Sequence, residues 1–101
     1  MTILLDPEEN ETGALMKFAG SLAGKSVLEI GCGDGRMTWR YAEHAAHVTG
    51  IDPDADKIKR ALAAFPAHLQ QKVELINLGL DDFAAQTHTD QYDIAILAWS
   101  L

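Results

Sequence analysis

Four short, mostly apolar runs limit what this chain can fold into more than any other feature. They span residues 26–30, 47–51, 73–77 and 92–98, and segments with helical character separate them. Their apolar residues follow one another instead of alternating with polar ones, as in strands that are covered on both faces. The pattern therefore predicts an α/β fold built on a parallel sheet.

The segments around these runs carry helix signals. Asp6 followed by Pro7 is typical of a helix start, and the helix that it predicts ends near Gly24. Further helical segments are predicted over 35–45, 54–65 and 80–85. In the second of these three, the residues predicted to share the buried face are Ala55, Ile58, Leu62 and Phe65.

Length, charge and cysteine content exclude several classes of protein. The chain has 101 residues, 48% of them hydrophobic, so residues 1–101 are expected to form a single domain or part of one. A formal net charge of −7 argues against a nucleic-acid partner, because binding phosphates requires clustered Lys and Arg. The apolar run at 3–5 is too short for a membrane span or a signal peptide. With Cys32 as the single cysteine, a cytoplasmic protein is expected that does not associate with membranes.

The strongest functional signal is the glycine loop, residues 31–35, which follows the first apolar run and opens a helix. Glycines at such a turn bring the backbone close to a ligand. Asp52 lies at the end of the next apolar run, where an acid accepts hydrogen bonds from the ribose hydroxyls of an adenine nucleotide or nucleoside. The alternative is that Asp52 only caps the following helix, although Asp54 is equally able to do so.

Three residues favour a ligand without phosphates. Arg36 occupies the position at which the dinucleotide-binding fingerprint requires its third glycine. Glu29 and Asp34 would repel a pyrophosphate, since like charges about 4–6 Å apart oppose binding by a few kcal/mol when they are partly buried. S-adenosylmethionine, which carries a sulfonium and an amino group on an adenosine, suits these carboxylates.

The sequence also resembles a known family. Residues 27–35, which read Val-Leu-Glu-Ile-Gly-Cys-Gly-Asp-Gly, closely resemble motif I of class I S-adenosylmethionine-dependent methyltransferases, and residues 48–52 resemble the segment after it. The resemblance continues through 73–83 and 92–101, so it covers nearly the whole chain. It implies a Rossmann-like sheet with strand order 3-2-1-4, counted from the run at 26–30, and a cofactor crevice between strands one and four.

The same resemblance implies roles for individual residues. Glu29 would hold the methionine amino group through water, and Asp52 would hold the ribose hydroxyls. Many relatives place an acid after the third strand for the adenine amino group. That position falls here on Gly79 or Leu80, so the role would pass to Asp81, to Asp82 or to backbone. The cofactor-binding residues implied are Glu29, Gly31, Cys32, Gly33, Asp34, Gly35, Asp52, Pro53 beside the adenine, Gly79, Leu80, Asp81, and Ala98 and Trp99 beside the methionine.

Other reactive side chains are expected to have no chemical role. Cys32 has no evident base, and the glycine loop requires a small residue at its position. His44 and His47 have helical separation but no third ligand, so no metal site is predicted. No catalytic residue is assigned, because methyl transfer can be accelerated by positioning alone.

The resembled fold continues past Leu101 with segments that form much of the acceptor pocket. The chain is therefore expected to be a truncated part that supplies the donor-binding half, with an unidentified small-molecule acceptor. Its fourth strand is expected to be an exposed edge, which predicts self-association. The alternatives are a non-catalytic S-adenosylmethionine-binding or partner subunit, and a nicotinamide-dependent oxidoreductase, which Arg36, Glu29 and Asp34 disfavour.

Overall fold

A computed structural model of the chain describes residues 2–6, 22–86 and 91–98. Strands and helices alternate, as the sequence predicts. The strands are β1 (Thr2–Asp6), β2 (Ser26–Ile30), β3 (His47–Ile51), β4 (Val73–Ile76) and β5 (Ile94–Ala98), and the helices are α1 (Arg36–Tyr41), α2 (Ala55–Ala63) and α3 (Leu80–Gln86). Short 3-10 helices lie at Ala42–His44, after α1, and at Ala67–Leu69, after α2. The helix predicted ahead of Gly24 falls largely outside the described residues.

All pairings between the strands are parallel, and their spatial order is β1-β5-β2-β3-β4. The order of the last four confirms the predicted 3-2-1-4 arrangement. The prediction that the fourth strand is an edge is wrong, because β1 pairs with β5 along its outer side, from Thr2 opposite Ile94 to Asp6 opposite Ala98. The apolar run at 3–5 is too short to span a membrane but long enough for a strand. Since β5 is not an open edge, the reason for expecting self-association through it no longer holds.

The two faces of the sheet carry separate apolar clusters. Helix α1 covers one face, with Phe65, just after α2, packed against the same cluster. The buried residues there are Leu22, Val27, Tyr41, Ala42, Ala45, Val48, Leu69, Val73, Ile94 and Ile96. On the other face, Phe83 of α3 packs with Leu28 and Ile51, and Tyr92 lies against them. Strands buried on both faces are the reason that the runs read as continuously apolar.

Helix α2 shows where periodicity alone misplaced a side chain. Its buried residues are Ile58 and Ala61, whereas Leu62 is 54% exposed. The buried side of the helix runs through Ile58 and Ala61 and leaves Leu62 on the outward side. The predicted face is therefore wrong at Leu62 and also at Ala55, which is exposed as well.

Parallel strands bring their carboxyl ends to one edge of the sheet. The glycine loop follows β2, Asp52 follows β3, and residues 77–79 follow β4 at that edge. The sheet thus assembles three segments that are distant in sequence. Within the described part of the chain, no helix combines the length and the apolarity needed to cross a membrane.

Candidate functional site

The glycine loop is held against the end of β3. The amides of Gly31 and Cys32 both donate to the Ile51 carbonyl, at 2.8 and 3.1 Å. The loop then turns through positive φ angles of 84° at Gly31, 58° at Gly33 and 86° at Gly35. Residues with a Cβ rarely adopt this conformation, so the turn requires the glycines that the sequence provides.

Asp52 connects the loop to the segment after β3. One carboxylate oxygen accepts a hydrogen bond from the Gly33 amide at 2.9 Å, and the other accepts from the Asp54 amide at 2.8 Å. Asp54, and not Asp52, caps α2, because its side chain accepts from the amides of Asp56 and Lys57. A carboxylate oxygen has two lone pairs, so each oxygen of Asp52 can accept one more bond.

A third segment closes the same edge beside Asp52. The Asn77 side-chain amide donates to the Asp52 carbonyl at 2.9 Å, which fixes the start of this segment. A Cβ built on Gly79 would lie 3.9 Å from Pro53 Cβ, so the two predicted residues are neighbours. Leu80 is 44% exposed next to them. The structure therefore brings Asp52, Pro53, Gly79 and Leu80 together, with Asp81 exposed in the first turn of α3.

Glu29 lies beneath the glycine loop and is fully buried. The hydroxyls of Thr38 and Tyr41 both donate to its Oε1, at 2.6 and 2.7 Å, and both of these residues are fully buried as well. Sequence reasoning did not identify Thr38 and Tyr41 as partners of Glu29. The available signal was their separation by three positions, on the face of the predicted helix that turns toward the strand bearing the acid.

Cys32 is 5% exposed and packs against β3, where a Cβ built on Gly50 would lie 3.0 Å from Cys32 Sγ. Burial raises the pKa of its thiol to about 12, and the negative charges of Glu29, Asp52 and Asp34 add to the shift. Such a thiol is protonated at neutral pH, so Cys32 is not an activated nucleophile.

Asp34 and Arg36 form an exposed pair at the start of α1. Arg36 Nε lies 3.3 Å from Asp34 Oδ1, and the Arg36 amide donates to the same oxygen at 3.2 Å. The Arg36 side chain is 80% exposed, so the pair adds little stability. It leaves Asp34 at the rim of the loop with its charge partly compensated.

The remaining predicted residues fall at β5. Ala98 ends this strand at the same edge as the loop, since Leu97 pairs with Ile30 at the end of β2. Trp99 lies outside the described residues. Within those residues, no group of three His, Cys, Asp or Glu side chains could hold a metal ion.

The edge has the features that an adenosine ligand with a cationic group requires. Among the described residues, a Cβ built on Gly33 would meet only Lys57 Cδ, at 3.8 Å, so a ligand can approach the loop backbone closely. Asp52 can accept bonds from vicinal hydroxyls, and the carboxylates of Glu29, Asp34 and Asp52 favour positive charge. A cavity of about 410 Å³ is lined by Ser26, His47, Thr49 and Tyr92 among others, and neither the glycine loop nor Asp52 belongs to its lining.

Comparison with known proteins agrees with this geometry. Residues 28–101 match a family model described as a methyltransferase domain. A ubiquinone biosynthesis O-methyltransferase of Aromatoleum aromaticum is 43% identical over 76 residues, which are 72% of this chain and 30% of that protein. A protein of the same name from Psychrobacter cryohalolentis is 39% identical over 74 residues, 72% of this chain and 28% of that protein. The chain thus spans about 30% of the length of these curated relatives.

Solved structures give the same assignment. An S-adenosylmethionine-dependent methyltransferase from Mesorhizobium loti superposes with a TM-score of 0.67 at 27% identity, covering 84% of this chain and 37% of that one. The Trypanosoma brucei PRMT1 enzyme-prozyme complex with AdoHcy gives a TM-score of 0.70 at 26% identity, covering 86% of this chain and 27% of that one. The Rossmann-like fold predicted from the sequence is therefore confirmed.

Proposed function

Because this chain belongs to the methyltransferase domain family, we propose that it provides the donor-binding part of an enzyme that transfers a methyl group from S-adenosylmethionine. S-adenosylmethionine is the cofactor of this family, as the sequence predicts. The observation that carries the proposal is the position of Asp52. Its carboxylate is anchored to the glycine loop through Gly33 and retains capacity to accept from a pair of hydroxyls.

The remaining site residues are assigned to the cofactor by their positions at this edge of the sheet, except Trp99, whose role rests on the family resemblance alone. The glycine loop, including Cys32 and Asp34, lines the ribose and methionine side. Pro53, Gly79 and Leu80 form the adenine side, where Asp81 or backbone groups replace the acid that many relatives carry. Glu29 attracts the methionine amino group, and Ala98 and Trp99 border the methionine.

In the reaction, an acceptor lone pair forms a bond to the methyl carbon, the C–S bonding pair passes to sulfur, and the acceptor proton is lost. This chain contributes by orienting the donor and by surrounding it with carboxylates. Positioning of this kind accounts for roughly 7–11 kcal/mol of barrier lowering in favourable intramolecular reactions.

For the acceptor, we propose an oxygen atom of a small molecule. The basis is the similarity to proteins named ubiquinone biosynthesis O-methyltransferases, so precursors of ubiquinone are the first compounds to test. The cytoplasmic location also stays a prediction.

Calorimetric titration with S-adenosylmethionine, S-adenosylhomocysteine and NAD tests the donor assignment. We expect the first two to bind and NAD not to bind. Asp52→Ala should weaken binding of both by at least about tenfold, because hydrogen bonds to a charged group contribute about 1.5–3 kcal/mol each. Asp56→Ala is the matched control, since Asp56 is an exposed acid in the first turn of α2. Binding of NAD in place of the methyl donor would overturn the proposal.

Turnover is measured separately, as formation of S-adenosylhomocysteine in the presence of hydroxylated aromatic acceptors. Donor binding without turnover in a protein that contains the full length of the relatives would favour the alternative of a non-catalytic binding subunit. Methylation of oxygen supports the proposal, and methylation confined to nitrogen or carbon acceptors would contradict it.

A further inference from the structure

The buried carboxylate of Glu29 is poorly explained by stability alone. Its partners in the sheet register are Gly50 and Ile96, and nearby residues on the same face include Val27 and Val48. An apolar side chain would suit this environment, whereas burying a carboxylate opposes folding by several kcal/mol before compensation. Retaining an acid here points to a use for its charge.

Thr38 and Tyr41 supply hydroxyl donors to that carboxylate. Both hydroxyls donate to Oε1, and hydrogen bonds to a carboxylate favour ionisation. Burial and the negative charge of Glu29 raise the pKa of Tyr41 well above its usual value of 10.0. The phenol therefore remains protonated and able to donate throughout the ordinary pH range.

The charge of Glu29 reaches the glycine loop. Burial raises the pKa of the Cys32 thiol, and the negative charge of Glu29, three residues earlier, raises it further. Glu29 is fully buried, so solvent screens its field less than that of Asp34, whose side chain is 40% exposed. An ionised Glu29 therefore gives the buried side of the glycine loop a negative potential that solvent screens little.

We propose that Thr38 and Tyr41 are positioning residues that hold the Glu29 carboxylate ionised beneath the glycine loop, so that its charge raises the affinity for the sulfonium donor relative to the affinity for the neutral thioether product. This inference rests on the proposed function, because it presupposes that S-adenosylmethionine occupies the loop. Donor and product differ at sulfur by one methyl group and one positive charge, and both carry the amino and carboxylate groups. A charge under the loop therefore changes their relative affinity and not only their common affinity.

The size of the effect follows from Coulomb's law. A unit charge removed from about 10 Å away, at an effective dielectric constant of about 20, changes the affinity for a cation roughly tenfold. Glu29→Gln should lower the preference for donor over product by about that factor. Thr38→Val and Tyr41→Phe each remove a hydroxyl that donates to Oε1, and we expect a change of about threefold in the same direction.

The test is calorimetric measurement of both dissociation constants for each variant, expressed as the ratio of product to donor. The structure offers a matched control on the other face of the sheet, where the Tyr92 hydroxyl lies 3.3 Å from the Thr49 hydroxyl. Thr49→Val and Tyr92→Phe make the same chemical changes away from Glu29 and should leave the ratio unchanged. Thr38→Ser retains the hydroxyl and should restore the ratio that Thr38→Val reduces.

Each outcome decides a separate question. If the unaltered chain binds neither donor nor product, the proposed function fails. If it binds both, but Thr38→Val and Tyr41→Phe weaken donor and product equally, the residues are only structural and the inference is wrong. If Glu29→Gln does not fold, as judged by circular dichroism, the comparison of Thr38→Val with Thr38→Ser still decides the matter. Sinefungin, in which a charged amine replaces the methylated sulfonium, should follow the donor and not the product.

Discussion

Replacing Gly35 by Ala should destabilise this protein through two effects that the structure separates. Gly35 precedes α1 with φ at +86°, a left-handed conformation that raises the energy of an alanine by about 1–2 kcal/mol. An added Cβ would also lie 2.7 Å from Cε2 of the Trp39 ring. Overpacking of that kind typically destabilises by about 1–3 kcal/mol. The sum is about 2–5 kcal/mol, against a total of about 5–15 kcal/mol for a domain near 100 residues.

Urea unfolding followed by circular dichroism measures this loss. With an m value of roughly 1–2 kcal/mol/M, the urea midpoint should fall by about 1–5 M. Gly24→Ala is the control, because Gly24 has φ at +74° but, among the described residues, no atom within 4 Å of an added Cβ. It should show the backbone effect without the steric one.

A double-mutant cycle assigns the difference to Trp39. Trp39→Leu removes the indole, and with it the contact with Phe65 at 5.0 Å between ring centroids, so it is destabilising by itself. In the double variant, Gly35→Ala should add only about 1–2 kcal/mol, similar to Gly24→Ala. The reasoning is refuted if Gly35→Ala and Gly24→Ala destabilise the unaltered protein equally.

Three further predictions concern Cys32 and the start of α2. The buried Cys32 thiol, with its pKa raised to about 12, should react with iodoacetamide at neutral pH at least tenfold more slowly in the folded protein than in urea. Mass spectrometry follows the reaction, and equal rates would contradict the burial of the thiol. Because the folded state holds the Cys32 proton more tightly than the unfolded chain, whose thiol has the ordinary value of 9.0, the free energy of unfolding should fall as pH rises from about 9 toward 12. Its slope should reach about 1.4 kcal/mol per pH unit, and urea titrations should show a smaller slope for Cys32→Ala. Asp54→Ala should lower stability by about 1 kcal/mol in thermal unfolding through loss of the helix cap, whereas Asp54→Asn, which can still accept from the Asp56 and Lys57 amides, should lose much less.

The order of the four central strands could be predicted because their signals are local and the resemblance to a known family supplied the topology. Strand β1 could not be predicted in this way. Its run at 3–5 is short, and its strand conformation depends on pairing with β5, a partner about 90 residues away in sequence. The outward position of Leu62 was missed for a similar reason, since helical spacing does not show which of two apolar residues meets the sheet.

The composition of the candidate site was partly predictable. Parallel strands must end at a common edge, so the proximity of the glycine loop, Asp52 and Gly79 follows from topology. The interpretation of Asp54 as a possible cap is confirmed by its hydrogen bonds. The hydroxyls of Thr38 and Tyr41 on Glu29 were not predictable, because they depend on helix placement and side-chain rotamers that periodicity does not specify.

The attachment of the glycine loop to β3 has a consequence for recombination between related proteins. Asp52 bonds to Gly33, and Gly50 leaves room for Cys32. A chimaera that exchanges the loop alone would place the loop of another protein against an unchanged β3. A larger residue at position 32 would then clash with the Gly50 backbone. The smallest segment that can be transplanted intact therefore runs from the start of β2 through Asp54. Transferring the ligand preference of this domain to a relative requires that whole segment and not the glycine loop alone.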